Sequence, residues 1–420
     1  MHDPEQIIRI ERERMSKRIF TSVSLAVIVV LGSLCTNTSA DHRSFVQDRF
    51  AIGFWVDPPA DEHMDQHYAD IAAANFTMVI GGFGARTPGT IQKQISLCEK
   101  YDLKAIVARA GLPPEQLPES PAVWGYTIRD EPSAKDFSGL RQTVDKIRAV
   151  RPGRLSYINL FPNYANERQL GTKTYDEHIK RFVDEVGIDV LSMDHYPMMK
   201  TGIDRRSRYC DNLHVMRTYS LQQDIPFWNF FNTMPFGPHT DPTEAQLRWQ
   251  IYTSIAYGAK GVLYFCYWTP RGNEFPKGGA IITGEGRKTR HYEQAKRINH
   301  GIKNLGPTLM KLTSTGVYHV KPDQDPTEVL GDTPIMSLTK GDYLVGVFKH
   351  TDGRQAVLLN NYSFAYTAWP TVEFSVRLEQ IREVCKQTGK EISIVDDSPA
   401  MAGLQISLDS GEGRLFILPK

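Results

Sequence analysis

From Phe50 onward, short apolar runs alternate with stretches whose apolar residues recur every three or four positions. The runs at 51–56, 77–81, 104–108, 123–128, 155–160, 190–193, 226–231 and 261–267 read as eight strands. Helical spacing predicts a helix over 61–74. A second, over 90–101, carries Ile91, Ile95, Leu97 and Cys98. A third, over 137–150, carries Leu140, Val144, Ile147 and Val150. A fourth, over 176–186, carries Ile179, Phe182 and Val183. A fifth, over 244–257, carries Leu247, Ile251, Ile255 and Ala256. Strands that alternate with helices imply a parallel sheet with helical crossovers. The alternation spans roughly 260 residues, which matches a closed (β/α)8 TIM barrel, placed here at 48–312. An open doubly wound sheet would carry a glycine-rich phosphate loop after its first strand, but Gly53 is followed by Phe54-Trp55-Val56-Asp57.

Near residue 315 the pattern changes. Short strands are predicted at 317–320, 335–338, 343–348, 355–360, 371–374, 392–395, 404–408 and 413–418, separated by turn signals such as Lys340-Gly341-Asp342 and Thr351-Asp352-Gly353. Strands with little helix between them predict a small antiparallel β-sandwich over 315–420.

The beginning of the chain has the order of an export signal. Arg14, Lys17 and Arg18 precede an apolar run at 19–34, and Thr38-Ser39-Ala40 supplies small residues for cleavage. Residues 1–40 are expected to be a signal peptide, and a start at Met15 would leave 1–14 as an over-extended beginning. The expected location is periplasmic or extracellular, with no stable membrane insertion once the signal is removed. The alternative is a membrane anchor formed by the uncleaved apolar segment. Leu34 before Cys35 is too bulky for a good lipid-attachment site.

A formal net charge of +1 gives no reason to expect nucleic acid or an anionic membrane as a partner. Cys98, Cys210, Cys266 and Cys385 are scattered without a CxxC pair, so neither a zinc site nor a disulfide framework is indicated. His63 and His67 lie four apart but lack the His-Glu-x-x-His order, and they read as surface residues. No metal or cofactor is called for.

The stretch Trp124 to Ser133 reads Trp-Gly-Tyr-Thr-Ile-Arg-Asp-Glu-Pro-Ser. Pro132 cannot donate to a strand ladder, so Asp130 and Glu131 fall where a strand becomes a loop. In a parallel α/β protein that is where ligands bind. The plainer reading is that Asp130 caps the next helix and Pro132 opens it. The other strand ends add Trp55 and Asp57, Arg109, Asn159, then Asp194, His195 and Tyr196, then Asn229 and Asn232, and finally Trp268. Carboxylates and amides hydrogen-bond hydroxyl groups, and large aromatic rings cover the apolar faces of sugars. The expected partner is therefore a carbohydrate.

Four stretches make the chain similar to the (β/α)8-barrel glycoside hydrolases of the clan A type, and to family 42 β-galactosidase relatives in particular. Gly125-Tyr126 through Asp130-Glu131-Pro132 resembles the strand-four Asn-Glu-Pro motif. Asp194-His195-Tyr196-Pro197 stands at strand six. The segment from Ala256-Tyr257-Gly258 to Tyr267-Trp268 resembles the helix-seven and strand-eight signature. Ile298-Asn299 to Leu305-Gly306 is similar to the last barrel helix. The resemblance implies a glycoside hydrolase with Glu131 as general acid/base, and the order of residues at the beginning of the chain makes the expected enzyme an exported one. It has two departures. Asp130 stands where the family has Asn. The strand-seven stretch Phe227-Trp228-Asn229-Phe230-Phe231-Asn232 has no carboxylate where the family carries its nucleophile. Double displacement needs a second carboxyl, and Asp194 is the candidate. Two alternatives stay open: substrate-assisted hydrolysis by the Asp130–Glu131 pair, and a non-catalytic carbohydrate-binding protein. Glu131 is expected to be desolvated by Trp124, Tyr126 and Tyr196 and repelled by Asp130, which raises its pKa.

Overall fold

The computed structural model describes residues 44–276 and 278–420. The expected signal segment, 1–40, lies outside them. Eight parallel strands form the first part: β1 (Ala51–Phe54), β2 (Met78–Ile80), β3 (Lys104–Val107), β4 (Val123–Asp130), β5 (Leu155–Asn159), β6 (Leu191–Asp194), β7 (Phe227–Asn232) and β8 (Gly261–Phe265). They pair in the orders β2-β3-β4-β5 and β6-β7-β8-β1. Backbone bonds join the two halves. Thr77 N–H donates to Ile52 O at 2.9 Å, and Leu160 N–H donates to Ser192 O at 2.8 Å. The ring is thereby closed, as expected for a TIM barrel.

The outer layer holds α1 (Met64–Ala73), α2 (Pro88–Lys100), α3 (Phe137–Val150), α4 (Tyr175–Val186), α5 (Arg206–Gln223), α6 (Glu244–Ala256) and α7 (Arg290–Leu309). The alternation is not uniform. Between β3 and β4 the described chain has only a 3-10 turn, Pro114–Gln116, in place of an α-helix. Pro113, Pro114, Pro118 and Pro121 in this crossover remove donors and cannot continue a helix. Helix α5, in contrast, was not predicted from periodicity. Its inward face mixes Tyr209, Leu213, Met216 and Tyr219 with buried Asn212, so the apolar stripe is interrupted.

Side chains fill the barrel rather than leaving a pore. Trp124 and Trp228 stack inside it, with ring centroids 5.9 Å apart and planes 28° apart. Leu155, Tyr157, Ile106 and Leu263 complete this layer. Gly261 makes room for it, since a Cβ there would come within 2.5 Å of the Trp228 ring. The aromatic plug closes one end of the barrel, so the cavity at the carboxyl ends of the strands has a floor.

After α7 the chain enters a β domain of β9 (Leu312–Val320), β10 (Ile335–Leu338), β11 (Tyr343–His350), β12 (Gln355–Asn361), β13 (Thr371–Phe374), β14 (Arg382–Val384), β15 (Glu391–Ser393), β16 (Leu404–Gln405) and β17 (Gly413–Leu418). A six-stranded antiparallel sheet in the order β15-β14-β17-β12-β11-β9 faces a three-stranded sheet in the order β10-β13-β16. Val345, Val357, Leu359 and Phe416 of the larger sheet and Val372 and Leu404 of the smaller share one core. The other face of the larger sheet packs on the barrel. Asn360 donates to Tyr252 O at 2.9 Å, and the rings of Trp249 and Tyr362 meet at 5.2 Å. No helix among the described residues is long and apolar enough to cross a membrane.

Candidate active site

At the carboxyl ends of the barrel strands lies a cavity of about 210 Å³. It is lined by Trp55, Asp130, Glu131, Asn159, Asp194, Tyr196, Phe230 and Phe265. Six of the residues expected from strand ends are brought together here: Trp55, Asp130, Glu131, Asn159, Asp194 and Tyr196.

The β4 end builds the acidic face. Strand β4 runs on to Asp130, which pairs in register with Asn159 of β5. Glu131 N–H then donates to Asn159 O at 2.8 Å, and the backbone of Glu131 takes φ 45°. A left-handed conformation in a non-glycine residue costs about 1–3 kcal/mol and persists only where its surroundings impose it. Here it re-aims the side chain at the strand end while Pro132 stops the ladder.

Asn159 joins two of the three carboxyls. Its Nδ2 lies 3.2 Å from Asp130 Oδ1 and 3.1 Å from Asp194 Oδ1. Its own Oδ1 accepts from Ser192 Oγ at 3.0 Å, and Ser192 Oγ is 3.0 Å from the Tyr157 hydroxyl. This chain leaves the Asn159 amide only one orientation, with both donors turned toward the carboxyls. Asp194 is buried, Glu131 is half-buried, and Asp130 stands at the mouth.

Three carboxyls share this space, and no basic side chain among the described residues lines the cavity. Burial first, and the Asp130 charge second, push Glu131 up to about 7. Burial, then Glu131 and Asp130, raise Asp194 well above the ordinary carboxyl range, while Tyr196 and Asn159 as donors oppose the rise. Asp130 is raised too, by desolvation, although much of the residue meets water. Its carboxyl is turned inward against Asn159. Like charges this close cannot all ionise, so the cluster holds at least one proton at neutral pH.

The desolvating walls are not all those expected. Trp124 sits in the plug below. Tyr126 faces the outer helices and donates its hydroxyl to Pro118 O at 2.8 Å. The walls are instead Trp55, Tyr196, Phe230 and Phe265. Phe230 and Phe265 were absent from the expected set, because an apolar residue at a strand end cannot be told from core in sequence alone. Phe230 is the β7 residue paired in register with Asp194.

The remaining expected residues do not line the cavity. Asp57 is buried and accepts backbone N–H groups from Phe83, Gly84 and Ala85 at 2.8–3.0 Å. Burial still raises it to about 6. His195 is buried with Nδ1 2.9 Å from Asn212 Oδ1. That oxygen already accepts from Asn163 N–H, and Asn212 Nδ2 donates to Tyr175, so Nδ1 carries the proton. Burial pushes this imidazole down to about 4. Asn229 points outward to Tyr209 and Ser254. Asn232 accepts from Met198 N–H and sits buried beneath that loop. Arg109 is half-buried in the loop after β3. Trp268 packs edge-on against His67 at 5.0 Å. Apart from Arg109, each is a polar or aromatic residue near a strand end whose partners are protein groups, a distinction that residue type does not carry.

Among the described residues no group of three or more His, Cys, Asp or Glu is arranged to hold a metal ion.

No family model matches the sequence, and no curated protein does. Solved structures do match. A catalytic mutant of a GH42 β-galactosidase from G. stearothermophilus aligns with a TM-score of 0.59 at 10% identity, covering 90% of this chain and 100% of that one. A β-galactosidase from Bacillus circulans sp. alkalophilus aligns with a TM-score of 0.55 at 10% identity, covering 88% and 99%. The chain spans only 60% and 58% of the lengths of two other β-galactosidases, from Marinomonas ef1 and Halorubrum lacusprofundi, with TM-scores of 0.44 and 0.46. At these identities the likeness is one of fold: a TIM barrel followed by a β domain, in the arrangement of the first two enzymes.

Proposed function

We propose that this protein is a glycoside hydrolase, with Glu131 as general acid and Asp194 as the second carboxylate. The observation that carries the reading is the carboxyl cluster, which sits at the ends of β4 and β6, on either side of β5, in a small aromatic-walled cavity. The shared fold with β-galactosidases supports it.

Glycosidic cleavage needs a proton for the leaving oxygen and a negative charge for the developing oxocarbenium ion. Glu131 is raised to about 7 and faces the cavity from its half-buried edge, so a large share of it is protonated near neutral pH and can deliver that proton. Burial is the strongest influence against ionising Asp194. The Asn159 and Tyr196 donors favour its carboxylate, and protonation of Glu131 removes the next opposing charge. This mechanism therefore requires the proton shared by the pair to rest on Glu131. Asp194 then serves as nucleophile or as base for a water.

A second reading is favoured by one observation. Asp130 shares the Asn159 amide with Asp194. Asp130 could therefore orient a 2-acetamido group while Glu131 protonates the leaving group. A glycan-panel assay with NMR detection of the product anomer tests both readings. Cleavage of neutral glycosides supports the Asp194 mechanism. Activity confined to 2-acetamido sugars, with inhibition by a thiazoline mimic, supports substrate assistance. Saccharide binding without any turnover, unchanged in Glu131→Gln, would leave a carbohydrate-binding protein.

Export is part of the proposal, on the order of basic, apolar and small residues before Asp41. N-terminal sequencing of the secreted protein should begin close to Asp41. Retention of residues 19–34 in a membrane fraction would instead indicate an anchor.

A further inference from the structure

Just after β1, at Trp55 and Val56, the chain makes an unusual turn. Val56 takes φ 63°, a conformation that a β-branched side chain adopts only under constraint. Its neighbours account for the constraint. Trp55 O and Val56 O accept from Tyr267 N–H at 3.0 Å and Trp268 N–H at 3.2 Å. The reversal sends Trp55 into the acid cavity and Asp57 away from it.

Asp57 then uses both carboxyl oxygens on one loop. Oδ1 accepts from Phe83 N–H at 2.8 Å and Gly84 N–H at 3.0 Å, and Oδ2 accepts from Ala85 N–H at 2.8 Å. Gly84 fits only without a side chain, because a Cβ there would come within 1.7 Å of Pro58 O. This buried carboxylate and strained turn hold one side chain outward. The Phe83 ring is 47% exposed and stands edge-on to Trp55, with centroids 5.5 Å apart. Trp55 in turn meets Phe230 of β7 edge-on, with centroids 5.7 Å apart. An exposed phenyl ring contributes little to stability where it stands. Its place is explained if another apolar surface covers it. The cavity of about 210 Å³ is smaller than the roughly 300–1,000 Å³ of pockets that enclose drug-sized ligands, so a saccharide longer than one unit must extend beyond it.

We propose that Phe83 forms a second sugar-binding position, in which its ring packs against the unit next to the one enclosed by the acid cavity, and that Asp57 is the positioning residue that holds it there. This inference rests on the glycoside hydrolase reading.

The test uses the full chain in the Glu131→Gln background, so that bound saccharides are not cleaved. Calorimetry compares one disaccharide, chosen as the best ligand of the glycan panel, with the monosaccharide of its non-reducing end. Phe83→Ala should weaken disaccharide binding about tenfold, the loss expected for one aromatic contact, and leave the monosaccharide within twofold. Phe83→Trp should retain the preference. Asp57→Asn keeps the shape but loses one acceptor, and it should move disaccharide affinity in the same direction as Phe83→Ala. Combined with Phe83→Ala it should add little. Equal loss for both ligands in Phe83→Ala, or no loss for either, overturns the second position while leaving the hydrolase reading intact. If no saccharide is bound by Glu131→Gln and none is cleaved by the unaltered chain, the hydrolase reading fails and the inference fails with it.

Discussion

Glu131 and Asp194 sit in the same cavity under different conditions, and each carries a prediction. Burial and the neighbouring Asp130 hold Glu131 near 7. Because the acid must be protonated, activity should fall as pH rises through about 7, and the basic limb of a kcat/KM profile reads that value. Glu131→Gln should cost about 10²–10⁴-fold on ordinary glycosides and much less on substrates with activated leaving groups. Equal loss on both would exclude the acid role. The same residue should destabilise the fold at neutral pH. A carboxyl raised from 4.5 to about 7 binds its proton more tightly when folded, so its contribution is full below about 4.5 and is lost as pH rises toward 7. Glu131→Gln should therefore raise the melting temperature by about 1–2 °C at pH 8 and leave it unchanged at pH 4. Asp194→Asn should reduce turnover of a neutral hexoside by at least about 10²-fold while Asn159 keeps its contact with Asp130. Full activity in that variant would move the second catalytic group elsewhere on the rim.

At the scale of elements, β4 decides where the carboxyls stand. Gly125 lies in its middle, and a Cβ there would come within 2.0 Å of Leu155 O on β5. Gly125→Ala must push the two strands apart. Since Asp130 and Asn159 are register partners on the same pair, the displacement reaches the site. The expected outcome is a loss of about 2–3 kcal/mol in denaturant unfolding together with reduced kcat. A variant of normal stability and normal rate would show that the strand pair absorbs the added methyl. Strands were legible in sequence because each is a short apolar run bounded by turn residues. Helix α5 was not, since buried Asn212 interrupts its apolar face for the sake of a hydrogen-bond network under His195. The proline-rich crossover between β3 and β4 shows the opposite case, where composition alone forbids a helix.

For the whole molecule, the β domain covers an apolar face of the barrel. Trp249 and Tyr252 of α6 lie against Tyr362 and Asn360, and Arg248 Nε donates to Ser410 O at 3.1 Å. Asn304 of α7 donates to Lys386 O at 2.8 Å. A chain truncated after residue 311 would leave two large aromatic residues of α6 uncovered. It should aggregate or melt well below the full protein, whereas the full chain should melt in a single transition. Independent transitions for barrel and β domain in calorimetry would show that this contact is weak.

The order of apolar and polar positions determined the architecture, because a strand or helix must bury one repeating face and only a few layered arrangements allow it. It also marked Asp130 and Glu131, since Pro132 ends a strand directly after them. Which polar residues meet in the cavity depended on tertiary structure. Asp57, His195, Asn229 and Asn232 look like binding groups in sequence, yet each finds protein partners once loops and helices close around it. Phe230 and Phe265 look like core and line the cavity. Residue type states which bonds a side chain can make. The direction in which a strand end turns, as with φ 63° at Val56 and φ 45° at Glu131, decides which partner is in reach.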